Sequence, residues 1–273
     1  MIVQTAAKGA GNVVIPMREH GRFAGKLARA FGNEGFATLR PFELLVDFVD
    51  HHDDGWDVVD PTIGQDIRTG LPYSLVSTPL KDLLKTGAHG PNLNEARHRY
   101  AGLLSSMHTV GLYTGRYGLS DKVLIDKLAD DEKPPVLALL EAEKARQTRL
   151  TRDLEEDPVF CEWVREPVLM HQYKALQFFD TLALYFHMTH DESRTEAAFA
   201  NVPRAVGDDV TVTLKRLAPQ VYELKPFPFR SDPFEVSYEG KLLAPQPFGV
   251  DIGARLHEAP RFTETLTLRG APA

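Results

Sequence analysis

The sequence predicts an α+β protein that is predominantly helical, with a small antiparallel β-subdomain late in the chain. Three observations support this prediction. Apolar residues recur at helical spacing through most of residues 16–187, and alternating apolar and polar patterns are concentrated near the start of the chain and after Val202. Nine of the 19 prolines lie from Pro203 onward. We therefore predict a helical core with an N-terminal hairpin over residues 1–200, and a β-rich subdomain packed on it over residues 201–273.

Length and composition exclude several classes of protein. The 273 residues are 43% hydrophobic and 25% charged, with a formal net charge of -7, which argues against wholesale disorder. Without a basic run the chain is a poor partner for a nucleic-acid polymer, although a local cationic pocket could hold a small anion. The single cysteine, Cys161, allows no internal disulfide or thiolate cluster. We see no secretion signal and no apolar stretch of membrane-spanning length, so we expect a cytoplasmic protein that binds no membrane and that is free to form a homo-oligomer.

The predicted elements follow in chain order. Residues 2–5 and 12–15 read as a hairpin, and 57–91 as a long loop, because prolines and glycines interrupt that stretch. Helices are predicted from Pro16 to Phe31, from about 41 to 54, briefly around 80–84, and then over 92–113, 135–153 and 162–187. Alternation at 210–214, 235–238 and 262–266 predicts the late strands.

The candidate site is centred on the hexapeptide His51-His52-Asp53-Asp54-Gly55-Trp56. On a helix, His52 would lie on the same face as the apolar residues that precede it, with Asp53 beside it. An isolated charge on a buried face is costly, and a metal ion bound by both side chains would remove that cost.

Two distant residues repeat this pattern. His20 lies on the apolar stripe of the first predicted helix. Asp180 lies within the apolar segment 176–184 of the last long helix, where a carboxylate has little access to solvent.

The order of these residues, a His, then His-Asp, then a distant Asp, each on a helix, resembles the HD-domain superfamily of metal-dependent phosphohydrolases. His52-Asp53-Asp54-Gly55 is similar to the His-Asp-x-Gly stretch of that superfamily. The wider pattern from Ile15 to Gln177-x-x-Asp180 looks like an uncharacterised family with an HD-like helical core. The fold that the resemblance implies is an HD-like helical core with the small β-subdomain attached.

The resemblance also implies a role for each position. His20, His52, Asp53 and Asp180 would hold one divalent ion, and mixed nitrogen and oxygen ligands suit Mn, Fe, Zn, Co or Ni. His108, with His98, could add a second metal. The general base or an orienting group would be His51 or Asp54, and the candidate phosphate contacts are Arg18, Arg97 and Lys174.

Simpler structural roles remain open for the same residues. His52 and Asp53 could form a buried hydrogen-bonded pair, and His20 could be a core histidine whose hydrogen bonds are satisfied. Asp180 could pair with Arg97 or Lys174. His108 could hydrogen-bond to Ser105 or to the backbone.

The leading functional hypothesis is a metal-dependent hydrolase of a small phosphorylated molecule, such as a nucleotide, that uses a metal-activated water. An HD-like di-iron oxygenase is a second hypothesis within the enzymes. The third is a non-catalytic sensor or interaction module whose metal is structural.

Overall fold

Seven α-helices and nine β-strands make up the protein in the computed structural model, which describes residues 1–7 and 9–271. The helices are α1 (Met17–Ala30), α2 (Phe42–His51), α3 (Leu80–Arg97), α4 (Arg99–Thr114), α5 (Lys133–Glu155), α6 (Glu166–Met188) and α7 (Ile252–Glu258). The strands are β1 (Ile2–Val3), β2 (Asn12–Ile15), β3 (Gln65–Asp66), β4 (Leu71–Pro72), β5 (Ala197–Ala205), β6 (Asp208–Ala218), β7 (Val221–Lys225), β8 (Phe234–Leu243) and β9 (Arg261–Gly270).

Seven of these strands form one curled, mixed sheet in the order β1-β2-β8-β9-β7-β6-β5. Every neighbouring pair is antiparallel except β7 and β9, which run parallel with Val221 opposite Thr267. The expected HD-like helical core with a small antiparallel subdomain is therefore wrong. The sheet is a principal part of the fold, and it contains strands from both predicted ranges, 1–200 and 201–273.

The predicted hairpin is confirmed, because β1 pairs with β2, and β2 in turn pairs with β8. The three predicted late strand segments lie within β6, β8 and β9. Strands β5 and β7 were not predicted. The alanine-rich sequence of β5 has little alternation of its own, and its register against β6 shifts twice, so its strand conformation depends on pairing with β6.

The long loop predicted over 57–91 is wrong in its second half, because α3 runs from Leu80 to Arg97 with Pro91 inside it. Proline cannot donate a hydrogen bond to the carbonyl four residues earlier, which is that of Gly87. The hydroxyl of Thr109 on α4 donates to this carbonyl across 3.4 Å and provides a tertiary substitute. The helix instead breaks at His98, whose backbone is extended and whose Nδ1 accepts from the amide of Tyr100.

Helix α2 ends at His51, three residues before the predicted end, and a short 3-10 helix follows over Asp54–Val58. Gly55 in this segment packs directly against the backbone of α3. A Cβ atom at Gly55 would lie 2.3 Å from the carbonyl oxygen of Thr86 and 2.8 Å from the amide of Gly90. Only glycine permits this approach, which anchors the segment after α2 against α3.

Helix α1 packs against α2, α6 and β8. Phe23 of α1 contacts Phe186 of α6 and Tyr238 of β8, with ring centroids 6.1 and 5.5 Å apart. This packing directs the inner faces of α1 and α6 and the end of α2 toward one buried region. Within the described residues, none of the helices combines the length and apolar character needed to cross a lipid bilayer.

Candidate metal centre

Five side chains from four parts of the helical layer converge in this buried region: His20 of α1, His52 and Asp53 after α2, His108 of α4 and Asp180 of α6. Ligand-type atoms of His20, His52 and Asp180 lie within 4.8 Å of one another. Those of His52, Asp53 and His108 do the same. The two groups share His52, and together they contain five of the six residues that the sequence singled out as possible metal ligands, all except His98.

The early end of α2 allows His52 and Asp53, although consecutive, to face the same point. On a continuous helix their side chains would diverge by about 100°. Instead, Asp53 leaves the helix with φ -107° and ψ 16°. Its Oδ2 then lies 3.4 Å from Nε2 of His52 and 3.8 Å from Nε2 of His20.

The hydrogen bonding of His52 determines which of its ring nitrogens is free. Nδ1 lies 2.7 Å from the carbonyl oxygen of Val49, and since a carbonyl can only accept, Nδ1 carries the proton and donates. Nε2 of His52 is buried and has no hydrogen-bond partner among the described residues. Its lone pair therefore points into the space between the carboxylates of Asp53 and Asp180.

The electrostatics of this space favour a positive charge. Burial opposes a charge on His52, but the carboxylates of Asp53 and Asp180 outweigh it and raise the pKa of His52. Burial likewise opposes ionisation of Asp180, but a hydrogen bond from His20 and the neighbouring histidines hold the pKa of Asp180 below its ordinary value. A proton on His52 or a metal ion would satisfy these two carboxylates.

His20 contacts a carboxylate on one side and a further histidine on the other. Its Nε2 lies 3.2 Å from Oδ1 of Asp180, and its Nδ1 lies 3.1 Å from Nδ1 of His187 on α6. His187 is fully buried, and its pKa is lowered well below the ordinary value by burial and by the neighbouring His20. A neutral His187 can accept a hydrogen bond from His20 and so orient its ring.

His108 is held by Gln177 of α6, whose Nε2 lies 3.1 Å from Nδ1 of His108. In this orientation the amide donates to Nδ1, and a neutral His108 carries its proton on Nε2. Exchanging the oxygen and nitrogen of the amide lets Nδ1 donate to Gln177 instead and leaves the Nε2 lone pair facing Asp53, 3.9 Å from Oδ1. Burial lowers the pKa of His108 to about 4, although the negative charges of Asp180 and Asp53 oppose this shift. Metal ligation through Nε2 of His108 requires the exchanged orientation of the Gln177 amide.

The other predicted site residues on α1, α2 and α3 form a separate network. Asp54 pairs with Arg97 at 3.1 Å and with Arg18 at 3.6 Å. Arg18 also contacts Asp50 and, at 3.2 Å, Nε2 of His51. Burial raises the pKa of Asp54 against the attraction of His51 and Arg18. The charges of both arginines are thus already matched by carboxylates, and the predicted roles of His51 and Asp54 as base and of Arg18 and Arg97 as phosphate contacts stay predictions.

Two further predicted residues lie elsewhere. Lys174 of α6 pairs with Asp209 of β6 at 2.5 Å and lines a cavity beside α6. His98 caps α4, and its ring packs on Phe160 with centroids 4.5 Å apart. These described contacts assign His98 to helix capping rather than to a second metal.

Three residues that the sequence did not assign to the site contact it: His187, Gln177 and Arg116. His187 follows Asp180 by seven residues on the same helix face, a spacing that could have indicated proximity. Gln177 had been noted only as part of the pattern that ends in Asp180. Arg116 follows α4 in an irregular turn, with Nη2 3.9 Å from Oδ2 of Asp180, and no local pattern indicates this contact.

Comparison with known protein families assigns the chain. The model of a family described as "Protein of unknown function (DUF3891)" matches residues 1–245. The chain belongs to the DUF3891 family. The matched range includes all five residues of the candidate metal centre, and the family description names no activity. Searches of curated proteins and of solved structures each returned no match. The relationship to the HD-domain superfamily stays a prediction.

Proposed function

We propose that this chain is a metal-dependent hydrolase of a small phosphorylated molecule. His20, His52, Asp53 and Asp180 would hold one divalent ion, with His108 as a further donor when the Gln177 amide is exchanged. The observation that carries the proposal is the buried Nε2 of His52, which lies between two carboxylates. The ring proton is on Nδ1, and Nε2 has no hydrogen-bond partner in the part of the chain that the structure describes. A buried polar atom of this kind requires an explanation, and a cation provides one.

The donor set fits a divalent transition metal. Imidazole nitrogens and carboxylate oxygens without sulfur suit Mn, Fe, Zn, Co or Ni rather than a soft-metal site. When bound, such an ion acidifies a water molecule and neutralises charge that develops on a phosphoryl oxygen.

The residues of the chain would contribute orientation and access. The Nδ1 of His52 donates a hydrogen bond to the carbonyl of Val49, and that of His20 donates to His187, so each ring is held in one orientation. Asp53 retains 16% exposure of its side chain, which gives the centre a polar route to solvent. In this proposal Asp54 and His51 act outside the centre, where Asp54 binds Arg18 and Arg97 and so joins α1, α2 and α3.

The two groups of ligand-type atoms share His52, whose single free lone pair can bind only one metal ion, and the proposal therefore centres on the ion bound by His52. A hydrolase of the proposed kind works with this one ion, whereas a di-iron oxygenase needs a second. The partial exposure of Asp53 supports catalysis over a purely structural metal, because structural sites are closed to solvent.

Elemental analysis of protein purified without chelator or nickel resin tests the proposal. We expect about one ion per chain in the wild type and in His257→Ala, which removes an exposed histidine remote in sequence from the centre. We expect its loss in His52→Ala and Asp180→Asn. A phosphomonoester and nucleotide panel is then screened with the metal found. Unchanged metal content in His52→Ala and Asp180→Asn would contradict the proposal, as would hydrolysis that is independent of the metal.

A further inference from the structure

A cavity of about 260 Å³ lies between α6, strand β5 and the turn after α4. Two of its lining residues also contact the candidate metal centre. Arg116 reaches within 3.9 Å of Asp180, and Gln177 contacts His108. The cavity and the metal centre therefore share a wall, so a molecule in the cavity would have one end beside the metal ligands.

Of the two cationic side chains that line this cavity, Arg116 is the one with unused hydrogen-bond donors. Its guanidinium makes no side-chain hydrogen bond to residues 1–7 or 9–271, and its contact with Asp180 is longer than a hydrogen bond. The side chain is only 22% exposed. Lys174, the other cation of the cavity, is already engaged by Asp209. A planar guanidinium with free donors is suited to bidentate binding of a phosphate or carboxylate.

The backbone that carries Arg116 is strained. Four consecutive residues have positive φ: Gly115 (76°), Arg116 (54°), Tyr117 (57°) and Gly118 (83°). Left-handed backbone is unfavourable for residues with a Cβ atom, and such strain concentrates at functional sites. Tyr117 secures the turn, since its hydroxyl donates to Gln147 across 3.1 Å and its ring packs edge-on against Tyr173.

We propose that this cavity binds the anionic group of the substrate, a phosphate monoester, with Arg116 as its principal contact. The inference rests on the proposed function and deepens it by placing the substrate. Phe178 and Phe199, which pack edge-to-face, provide an apolar wall for the organic part.

The contact between Arg116 and Asp180 couples the cavity to the metal centre. Without a metal, the negative charge of Asp180 attracts Arg116 and repels an incoming phosphate. A cation on Asp180 neutralises that charge and leaves the guanidinium available. Phosphate and metal should therefore strengthen each other's binding by the same factor.

Calorimetric titration of inorganic phosphate tests the inference in the wild type, Arg116→Ala, Arg116→Lys and the control Arg152→Ala, whose side chain is 72% exposed. Each is measured with Mn²⁺ and after chelation, with metal content and thermal unfolding recorded. We expect Arg116→Ala to weaken phosphate binding at least tenfold at unchanged metal content. Arg116→Lys should lose less, and Arg152→Ala should match the wild type.

A second variant tests the cavity without changing Arg116, so that the inference can still be tested if Arg116→Ala does not fold. Ala198→Leu enlarges an exposed residue at the rim of the cavity and should also weaken phosphate binding while metal content stays unchanged. Wild-type phosphate affinity in folded Arg116→Ala would overturn the inference. If the wild type binds no metal, the proposed function fails by itself. Phosphate binding that still depends on Arg116 would then support the cavity assignment, and its absence would overturn it.

Discussion

His20 and His187 face each other through their Nδ1 atoms, 3.1 Å apart, in a fully buried position between α1 and α6. A hydrogen bond between these two nitrogens requires that one of them carries a proton and that the other accepts it. If Nε2 of His20 is a metal ligand, its Nδ1 carries the proton and donates to His187. His187 is then the residue that orients a metal ligand, and the first prediction concerns it.

Replacing His187 with Phe should weaken metal binding by about 10–100-fold, because the ring of His20 loses its acceptor. His187→Asn offers an oxygen in a similar position and should lose less. Competition titration against a chromophoric chelator measures both affinities, and thermal unfolding of the metal-free proteins separates misfolding from loss of orientation. Wild-type affinity in folded His187→Phe would show that the contact has no part in metal binding.

Metal removal should lower the unfolding temperature. A ligand at 100 times its Kd stabilises the folded state by about 2.7 kcal/mol, which for a chain of this size corresponds to about 5 °C. Calorimetry before and after chelation, and again after the metal is restored, measures the change. His52→Ala should show no difference between these states, whereas His257→Ala should behave like the wild type. An equal shift in His52→Ala would mean that the ion binds elsewhere.

The buried pair of Arg194 and Glu264 joins strand β9 to the segment after α6, with hydrogen bonds of 2.8 and 2.9 Å. Tyr238 also donates to this carboxylate. Glu264→Gln removes the carboxylate that pairs with both terminal nitrogens of Arg194 and leaves only Asp191, 3.6 Å from Nη1, as a counter-charge. We expect a loss of about 3 kcal/mol in the free energy of unfolding. Urea unfolding of the wild type and of Glu264→Gln measures this loss. Arg204→Ala, which breaks an exposed pair with Asp208, should change stability by less than about 1 kcal/mol.

Asp191 should make stability depend on acid pH. Partial burial opposes its charge, but hydrogen bonds from Arg216 and Tyr222 lower its pKa to about 2. Because this pKa is below the unfolded value of about 3.9, the stabilisation is present above pH ~4 and is lost as the pH falls toward 2. Solvent access reduces its size to about 1 kcal/mol.

Urea unfolding between pH 5 and pH 2 tests this dependence. The wild type should lose about 1 kcal/mol more than Asp191→Asn over that range. Asp130→Asn removes a carboxylate that is 99% exposed and should follow the wild type. Identical pH profiles for Asp191→Asn and the wild type would exclude Asp191 as the source.

Local sequence patterns were sufficient to select three residues of the candidate site. His20, His52 and Asp180 are polar residues at positions where the helical period requires a buried face, and such positions are visible without knowledge of the fold. The structure brings these residues together with Asp53 and His108. Most helices and the N-terminal hairpin were predictable for the same reason, because their periodicity is a property of adjacent residues.

The tertiary structure decided what depends on distant contacts. The prolines and glycines of residues 57–91 indicated a loop with at most a short helix at 80–84, yet packing against α4 and the hydroxyl of Thr109 keep α3 helical. The position of strand β7 in the sheet depends on its parallel pairing with β9, which lies more than forty residues later in the chain.

The periodicity of the sequence was therefore enough to place His20, His52 and Asp180 in the interior and to make them candidate metal ligands. The contact of Arg116 with Asp180 and that of His187 with His20 became visible only in the folded structure. The physical reason is that burial periodicity is encoded over a few residues. Contacts between residues 64 to 167 positions apart arise only when the packed elements fix their relative orientation.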